Sequence, residues 1–157
     1  MWRRRLFWIS SIYLAYFIIG AIVSVAARWP AQFGGVGDPD DVAAEFLTRG
    51  TALAAPLGPM IVFALMIFLL TRTGVWEKIG TIGVMLLAIL FLIGSLGEAF
   101  ASGEITTPRS VLIISGIIGT VMSLIMFGAG IMAFREPRSA TERVADRAHA
   151  GGPEPSD

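Results

Sequence analysis

The stretch KIGTIGVMLLAILFLIGSLGEAFA, residues Lys78–Ala101, decides the fold class of this chain. It is predominantly hydrophobic, has glycines spaced along it, and contains one carboxylate, Glu98, near its far end. About 20 helical residues cross a hydrocarbon layer of about 30 Å, because each residue of an α-helix advances about 1.5 Å. The stretch therefore predicts a transmembrane helix.

Three further hydrophobic runs of similar length accompany this stretch. Together the four predicted spans are about 6–27, 51–71, 79–101 and 110–134. None of them shows the alternating pattern of roughly ten residues that is typical of a membrane β-barrel strand. The sequence therefore predicts an all-α, polytopic membrane protein. Its transmembrane domain covers residues 1–134, and its four helices form an antiparallel bundle.

The composition excludes several classes of function. Hydrophobic residues make up 55% of the chain and charged residues 15%, against roughly 25% charged residues in a typical globular protein. The formal net charge is zero, so the composition gives no indication of a nucleic-acid partner. The chain has no cysteine, and its one histidine, His149, lies in the polar C-terminal tail. We therefore predict no thiolate chemistry, no metal site, no cofactor and no catalytic residue.

The distribution of lysine and arginine predicts the orientation, since cytoplasmic segments of membrane proteins carry an excess of both. If the N-terminus is inside, the inner segments carry nine of these residues and the outer segments carry three. The three outer ones are Arg28, Arg49 and Arg109. We therefore expect a multi-pass protein of the cell inner (plasma) membrane with both termini cytoplasmic.

The connections between the spans carry local signals. The outer loop, 28–50, contains Asp-Pro-Asp-Asp at 38–41, which combines helix-capping residues with a proline suited to the first helical turn. This pattern predicts a short amphipathic helix at about 39–49. Pro56 and Pro59 predict a kink or an unwound turn near the start of the second span. The polar residues 135–157 predict a largely disordered cytoplasmic tail.

Small residues follow one face of the third span and one face of the fourth. Such residues let helices approach closely in a membrane, and hydroxyl groups can add hydrogen bonds between them. Only about eight residues join these two spans, which favours a tightly packed hairpin. The predicted helix-packing residues are Gly83, Gly94, Gly97, Gly116, Thr120 and Ser123.

Glu98 is the main candidate for a functional side chain, since an ionisable residue within a span suggests a function. It lies about 20 residues, or about 30 Å of helix, past Lys78 and therefore near the outer edge of the hydrocarbon layer. Arg28 and Arg109 should lie at the same level. Two interpretations follow: a structural ion pair with one of these arginines, or a protonatable or cation-binding site. A catalytic acid is a weaker third, because no partner base or nucleophile is visible.

Two functions of different classes fit these patterns. The first is a small membrane subunit or scaffold that acts through helix packing with itself or with a larger membrane complex. The alternative is an oligomeric channel or transporter for an ion or small solute, with Glu98 near its outer mouth. The expected partners are the lipid bilayer and either further copies of the chain or other membrane subunits. An integral membrane enzyme acting on lipid comes third, because the convergent acids and bases it needs are absent from the pattern.

Overall fold

The structure, a computed structural model, describes residues 1–32, 37–100 and 107–136. These ranges contain five α-helices and no β-strand. The helices are α1 (Trp2–Ala27), α2 (Val42–Thr48), α3 (Leu57–Leu69), α4 (Val75–Ala99) and α5 (Arg109–Arg135). By length and composition α1, α4 and α5 can cross a membrane. The predicted all-helical fold is thereby confirmed, and the three apolar helices suggest a membrane protein. The predicted tail from residue 137 onward lies outside the described residues.

The second predicted span differs from the prediction. The sequence predicts a helix over about 51–71, but α3 has only 13 residues, Leu57–Leu69. This is about 20 Å of helix, less than the thickness of a hydrocarbon layer. Helix is disfavoured at a residue that precedes a proline, and Pro56 itself has an extended ψ of 151° as the N-cap. Three candidate spans and one short apolar helix therefore stand where sequence analysis predicts four spans.

The segment from Thr51 to Pro56 is not helical, yet several of its backbone N–H groups donate hydrogen bonds. The Thr51 N–H donates to the Ala54 carbonyl at 2.9 Å, and the Ala54 N–H donates to the Thr51 hydroxyl at 3.1 Å. The Ala52 N–H donates to the carbonyl of Trp29 at 3.3 Å, which ties the segment to the end of α1. These bonds reduce the free-energy cost of placing irregular backbone in an apolar environment.

This non-helical segment descends along α1. A Cβ added to Gly20 would lie 2.7 Å from the Leu53 carbonyl oxygen, so only glycine admits the segment at this depth. Gly20 lies seven residues before Ala27, the last residue of α1, which corresponds to about 10 Å along the helix. At its other end α3 packs its last turn, at Leu69 and Leu70, against Gly80 of α4. The segment 51–69 thus follows the bundle for most of its length.

The four longer helices pack in a ring. The contact between α4 and α5 is the most extensive, which confirms the predicted hairpin, and the contacts of α3 with α4 and of α1 with α5 come next. α1 also contacts α3, so the order around the ring is α1, α5, α4, α3. The short helix α2 lies within the range predicted for the amphipathic helix and packs near α1 and α3.

Polar contacts fix the relative directions of the helices. Arg3, at the start of α1, forms an ion pair with Glu77, at the start of α4, with 2.5 Å between Nε and Oε1. Glu136, just after α5, accepts hydrogen bonds from the backbone N–H groups of Trp2 and Arg3 at 3.0 and 3.3 Å. α1 and α4 therefore run in one direction and α5 in the other. We name this end of the bundle the Arg3 end and the opposite end the Glu98 end.

Aromatic rings fill the centre of the bundle. Tyr13 and Phe17 of α1 meet Phe63 of α3 and Phe91 of α4, with ring centroids between 4.5 and 6.3 Å apart. The rings of Phe17 and Phe91, 4.8 Å apart, join the two helices that face each other diagonally. We name these four residues the aromatic plug, since they close the middle of the bundle.

Candidate functional site

A cavity of about 250 Å³ lies between α1, α4, α5 and the segment that leads into α3. We name it the Glu98 cavity, because it extends from the aromatic plug to Glu98. Most of its surface is apolar, and it includes the prolines that begin α3. Its polar lining residues are Tyr13, Tyr16, Arg49, Thr51, Ser95, Glu98 and Ser115.

The floor of the cavity is a polar contact at the middle of the bundle. Tyr13 is fully buried, and its hydroxyl donates to the Gly119 carbonyl of α5 at 3.2 Å. The same hydroxyl lies 3.3 Å from the Ser123 hydroxyl oxygen, so the two hydroxyls share a further hydrogen bond. Because these groups satisfy one another, the tyrosine can occupy the apolar centre without an unpaired hydroxyl. The aromatic plug and this contact separate the cavity from the Arg3 end.

The mouth of the cavity is charged. Both carboxylate oxygens of the half-buried Glu98 accept from the backbone N–H of Gln32, at 3.1 and 3.0 Å. Arg49 also lines the cavity, and its guanidinium lies 3.4 Å from the carboxylate of Glu45. A carboxylate and a guanidinium therefore stand at the open end, while the walls below them are apolar.

One wall of the cavity is the non-helical backbone from Thr51 to Pro56. Irregular backbone at membrane depth occurs where it is buried in protein or lines a cavity. Membrane transporters use such interruptions of a helix to form binding sites. The break itself was predictable from Pro56 and Pro59, whereas its position beside a cavity was not.

The predicted packing residues have different environments. A Cβ added to Gly116 would lie 2.5 Å from the Ala99 Cβ, and Gly83 lies directly against the Met66 side chain. Gly94, in contrast, lines the cavity, and a Cβ added there would have no described atom within 4 Å. Ser123 is the buried partner of Tyr13. Gly97 and Thr120 are half-buried on α4 and α5.

The two arginines predicted to lie at the level of Glu98 are at the Glu98 end of the bundle, but they occupy other positions there. Arg28 follows α1 in a left-handed conformation with φ 57°, and its guanidinium pairs with Asp40 at 2.8 Å. Both of these side chains are exposed. Arg109 is exposed at the first residue of α5. The structure thus brings Glu98 to the backbone of Gln32 and Arg28 to Asp40.

Sequence reasoning missed Tyr16, Ser95 and Arg49 as lining residues. A signal was present for the tyrosines, because both tyrosines of the chain lie three residues apart in the first span. That spacing places them near one face of a helix. Arg49 gave no comparable signal, since a basic residue in an outer loop is usually solvated.

Within the described ranges no group of three or more histidine, aspartate or glutamate side chains could hold a metal ion. The chain matches no protein-family model, and no curated protein or solved structure is similar to it at a significant level. The arrangement of the cavity is therefore the basis for a functional proposal.

Proposed function

We propose that this protein is a small-solute transporter that binds a small, mainly apolar solute with one polar end in the Glu98 cavity. The observation that carries the proposal is a cavity of about 250 Å³ whose wall is non-helical backbone within an apolar helical bundle. Binding sites for small molecules are concave, mostly apolar and equipped with a few polar groups, and range from about 300 to 1,000 Å³. A cavity just below that range fits a small solute.

The distribution of charged residues around the cavity supports access of the solute from the Glu98 end. Its charged lining residues, Glu98 and Arg49, stand at that end, and the Arg49 side chain is 36% exposed. Toward the Arg3 end the aromatic plug closes the bundle, and the contacts of Arg3 with Glu77 and Glu136 join α1 to α4 and α5. We interpret this arrangement as one state of a carrier, open at the Glu98 end and closed at the Arg3 end.

Four membrane crossings with both termini cytoplasmic are part of the proposal. α1 and α4 run in the same direction, so the chain between them has to return across the layer. The 13 helical residues of α3 supply about 20 Å, and the descent of the preceding segment to Gly20 adds about 10 Å. Their sum matches a hydrocarbon thickness of about 30 Å. The excess of arginine at the Arg3 end favours a cytoplasmic location for it.

A substitution that fills the cavity tests whether a solute binds there. Purified protein in lipid nanodiscs is titrated with tritiated 1-naphthalenemethanol, and the partition into empty nanodiscs is subtracted. Gly94→Leu should abolish saturable binding, because the new side chain enters the cavity. Gly128→Leu is the matched control: it makes the same change on exposed α5 surface, where an added Cβ also meets no described atom within 4 Å. Equal binding by both variants would contradict the proposal.

The hypothesis of a subunit or scaffold stays a prediction. The homo-oligomer or partner subunits that go with it also stay predictions. The native mass of the protein in mild detergent or lipid particles, together with what co-purifies, tests them. A complex with other polypeptides would support the subunit hypothesis. A discrete homo-oligomer would agree with a transporter that works as several copies.

A further inference from the structure

We propose, on the basis of the proposed function, that the Glu98 cavity opens sideways between α3 and α4 into the bilayer. The solute is then a single-chain, lipid-like amphiphile that enters from the hydrocarbon layer. Its polar head lies at the charged mouth of the cavity, and its chain points toward the aromatic plug. The contacts between α3 and α4 carry this inference, because they change along the length of the two helices.

α3 and α4 are in close contact from the Arg3 end to the aromatic plug. A Cβ added to Gly80 of α4 would lie 2.9 Å from the Met66 carbonyl oxygen of α3. Gly83, about one turn further along α4, lies directly against the Met66 side chain. At the plug the rings of Phe63 and Phe91 join the same two helices, with 5.2 Å between their centroids. Over this half of the bundle the boundary between α3 and α4 is therefore closed.

Beyond the plug, toward the Glu98 end, the same boundary contains open space. Pro59 lies one turn before Phe63 and therefore on the side of α3 that faces α4. Gly94 lies about three turns after Gly83 and therefore on the side of α4 that faces α3. Both Pro59 and Gly94 line the cavity, and a Cβ added to Gly94 would have no described atom within 4 Å. The cavity thus occupies the boundary that is closed in the other half of the bundle.

The edge of this opening lies on the outer surface of the bundle. Leu90 and Ile93 line the cavity, yet their side chains are 50% and 54% exposed. Residues that belong both to the cavity wall and to the exposed surface mark the place where the cavity reaches that surface. The other side of α4 is closed, since a Cβ added to Gly116 of α5 would lie 2.5 Å from the Ala99 Cβ. The opening is therefore bordered by apolar side chains on the side of α4 that faces α3.

The polarity of the cavity matches an amphiphile as it lies in a leaflet. In a bilayer the polar head stays at the interface and the chain points to the middle, because apolar surface is driven away from water. The cavity has the same order, with Glu98 and Arg49 at its mouth and the aromatic plug at the middle of the bundle. An amphiphile can therefore move in sideways without turning and without carrying its chain through water. The volume of about 250 Å³ favours one chain over the two chains of a phospholipid.

A photoreactive lipid tests the sideways opening. The full-length protein is placed in nanodiscs that contain a phosphatidylcholine with a diazirine at the end of one acyl chain, and adducts are mapped by mass spectrometry after activation. The second chain keeps this lipid in the bilayer, so the reactive chain reaches the cavity only from the side. We expect adducts on the buried side chains of Tyr13 and Phe17, and an excess of 1-naphthalenemethanol should reduce them.

Two variants locate the opening. Leu90→Trp places a larger side chain at its edge and should remove most of the adducts on Tyr13 and Phe17. Leu86→Trp is the matched control, because Leu86 is an exposed leucine one turn closer to the Arg3 end and does not line the cavity. It should leave the adducts unchanged, and equal loss in both variants would contradict the position of the opening. The adducts on the unaltered protein need no variant, so they remain decisive if Leu90→Trp fails to fold.

The outcomes separate this inference from the proposed function. If 1-naphthalenemethanol binds in a manner that Gly94→Leu abolishes, but the lipid labels only exposed positions such as Leu86, the sideways opening is wrong and the proposed function stands. Labelling of Tyr13 and Phe17 that the alcohol does not reduce would also contradict a shared site. If the alcohol shows no binding that depends on Gly94, the proposed function fails and this inference fails with it.

Discussion

The guanidinium of Arg3 lies 2.5 Å from the carboxylate of Glu77, so the first residues of α1 and of α4 meet at one end of the bundle. The two helices are separated by 47 residues, from Arg28 to Gly74. Because both helices run in the same direction, this intervening chain has to travel the length of the bundle. α3 and the segment before it make that return.

The first prediction concerns which side of the membrane each connection faces. The chain contains no cysteine, so a single introduced cysteine reports its own location. In intact cells, Asp40→Cys should react with a membrane-impermeant maleimide, and Thr73→Cys should react only after the membrane is opened. Both positions are exposed in the structure, so a lack of reaction reflects the membrane and not burial. Reaction of both cysteines in intact cells would place them on one side of the membrane and would contradict the return through α3.

The second prediction concerns the pH dependence of stability at the Arg3 end. The N-terminal ammonium of Met1, followed by the backbone N–H groups of Arg3 and Trp2, lowers the pKa of Glu136 below its ordinary value. A carboxylate whose pKa is lower in the folded state stabilises the fold above its unfolded pKa of about 4.3. That stabilisation disappears as the pH falls through the lower, folded pKa.

Thermal unfolding in mild detergent at several pH values, with the unaltered protein and Glu136→Gln side by side, measures this effect. The unaltered protein should be the more stable of the two at pH 6, and the difference in Tm should shrink steadily below about pH 4.3. Comparison with the glutamine variant removes the contribution of the other carboxylates. A difference in Tm that stays constant down to pH 3 would show that the charge of Glu136 is irrelevant.

The third prediction compares two glycines of α5. Gly116→Ala places a methyl group 2.5 Å from the Ala99 Cβ and 3.0 Å from the Ser95 carbonyl oxygen, so α4 and α5 have to separate. Overpacking of this kind costs about 1–3 kcal/mol. Gly128→Ala adds its methyl group where no described atom lies within 4 Å, and it should be neutral or stabilise by up to about 1 kcal/mol. Denaturant titration in detergent should rank the two variants in this order, and the reverse ranking would count against the α4–α5 packing.

The fourth prediction concerns the hydrogen bond between Tyr13 and Ser123. A double-mutant cycle of Tyr13→Phe and Ser123→Ala should give a coupling energy of about 0.6 kcal/mol, the average for such pairs within membrane bundles. Ser11→Ala is the control, because the Ser11 hydroxyl bonds to the Phe7 carbonyl of its own helix. The changes at Tyr13 and Ser11 should therefore be additive. Coupling in the control but not in the cycle would be inconsistent with the observed contact.

Much of the bundle could be predicted from the sequence, because the hydrocarbon layer imposes a length on each span. The runs that become α1, α4 and α5 are long enough to be recognised directly, and the short connection after α4 gave the α4–α5 hairpin. Pro56 and Pro59 indicated the break before α3. The actual start of the helix, at Leu57, shortened a predicted span of about 20 residues to 13.

The cavity could not be predicted, because it depends on contacts that a sequence pattern does not contain. Gly94 and Gly116 look alike in the sequence, yet one faces open space and the other touches α4. The depth of the segment before α3 depends on the fit of Leu53 against Gly20. One contact of Glu98 is with the backbone N–H of Gln32, and the amino-acid sequence does not show which backbone N–H group a loop brings to a side chain.

The most direct test of solute binding is to find where a solute attaches. A neutral photoreactive probe, a short alkyl alcohol with a diazirine, is added to the protein in nanodiscs and activated, and the adducts are mapped by mass spectrometry. We expect adducts in Tyr13–Phe17 and Leu90–Glu98 that an excess of 1-naphthalenemethanol prevents. Adducts only on exposed positions such as Leu86 and Ile117, unaffected by the competitor, would show that the cavity binds no solute.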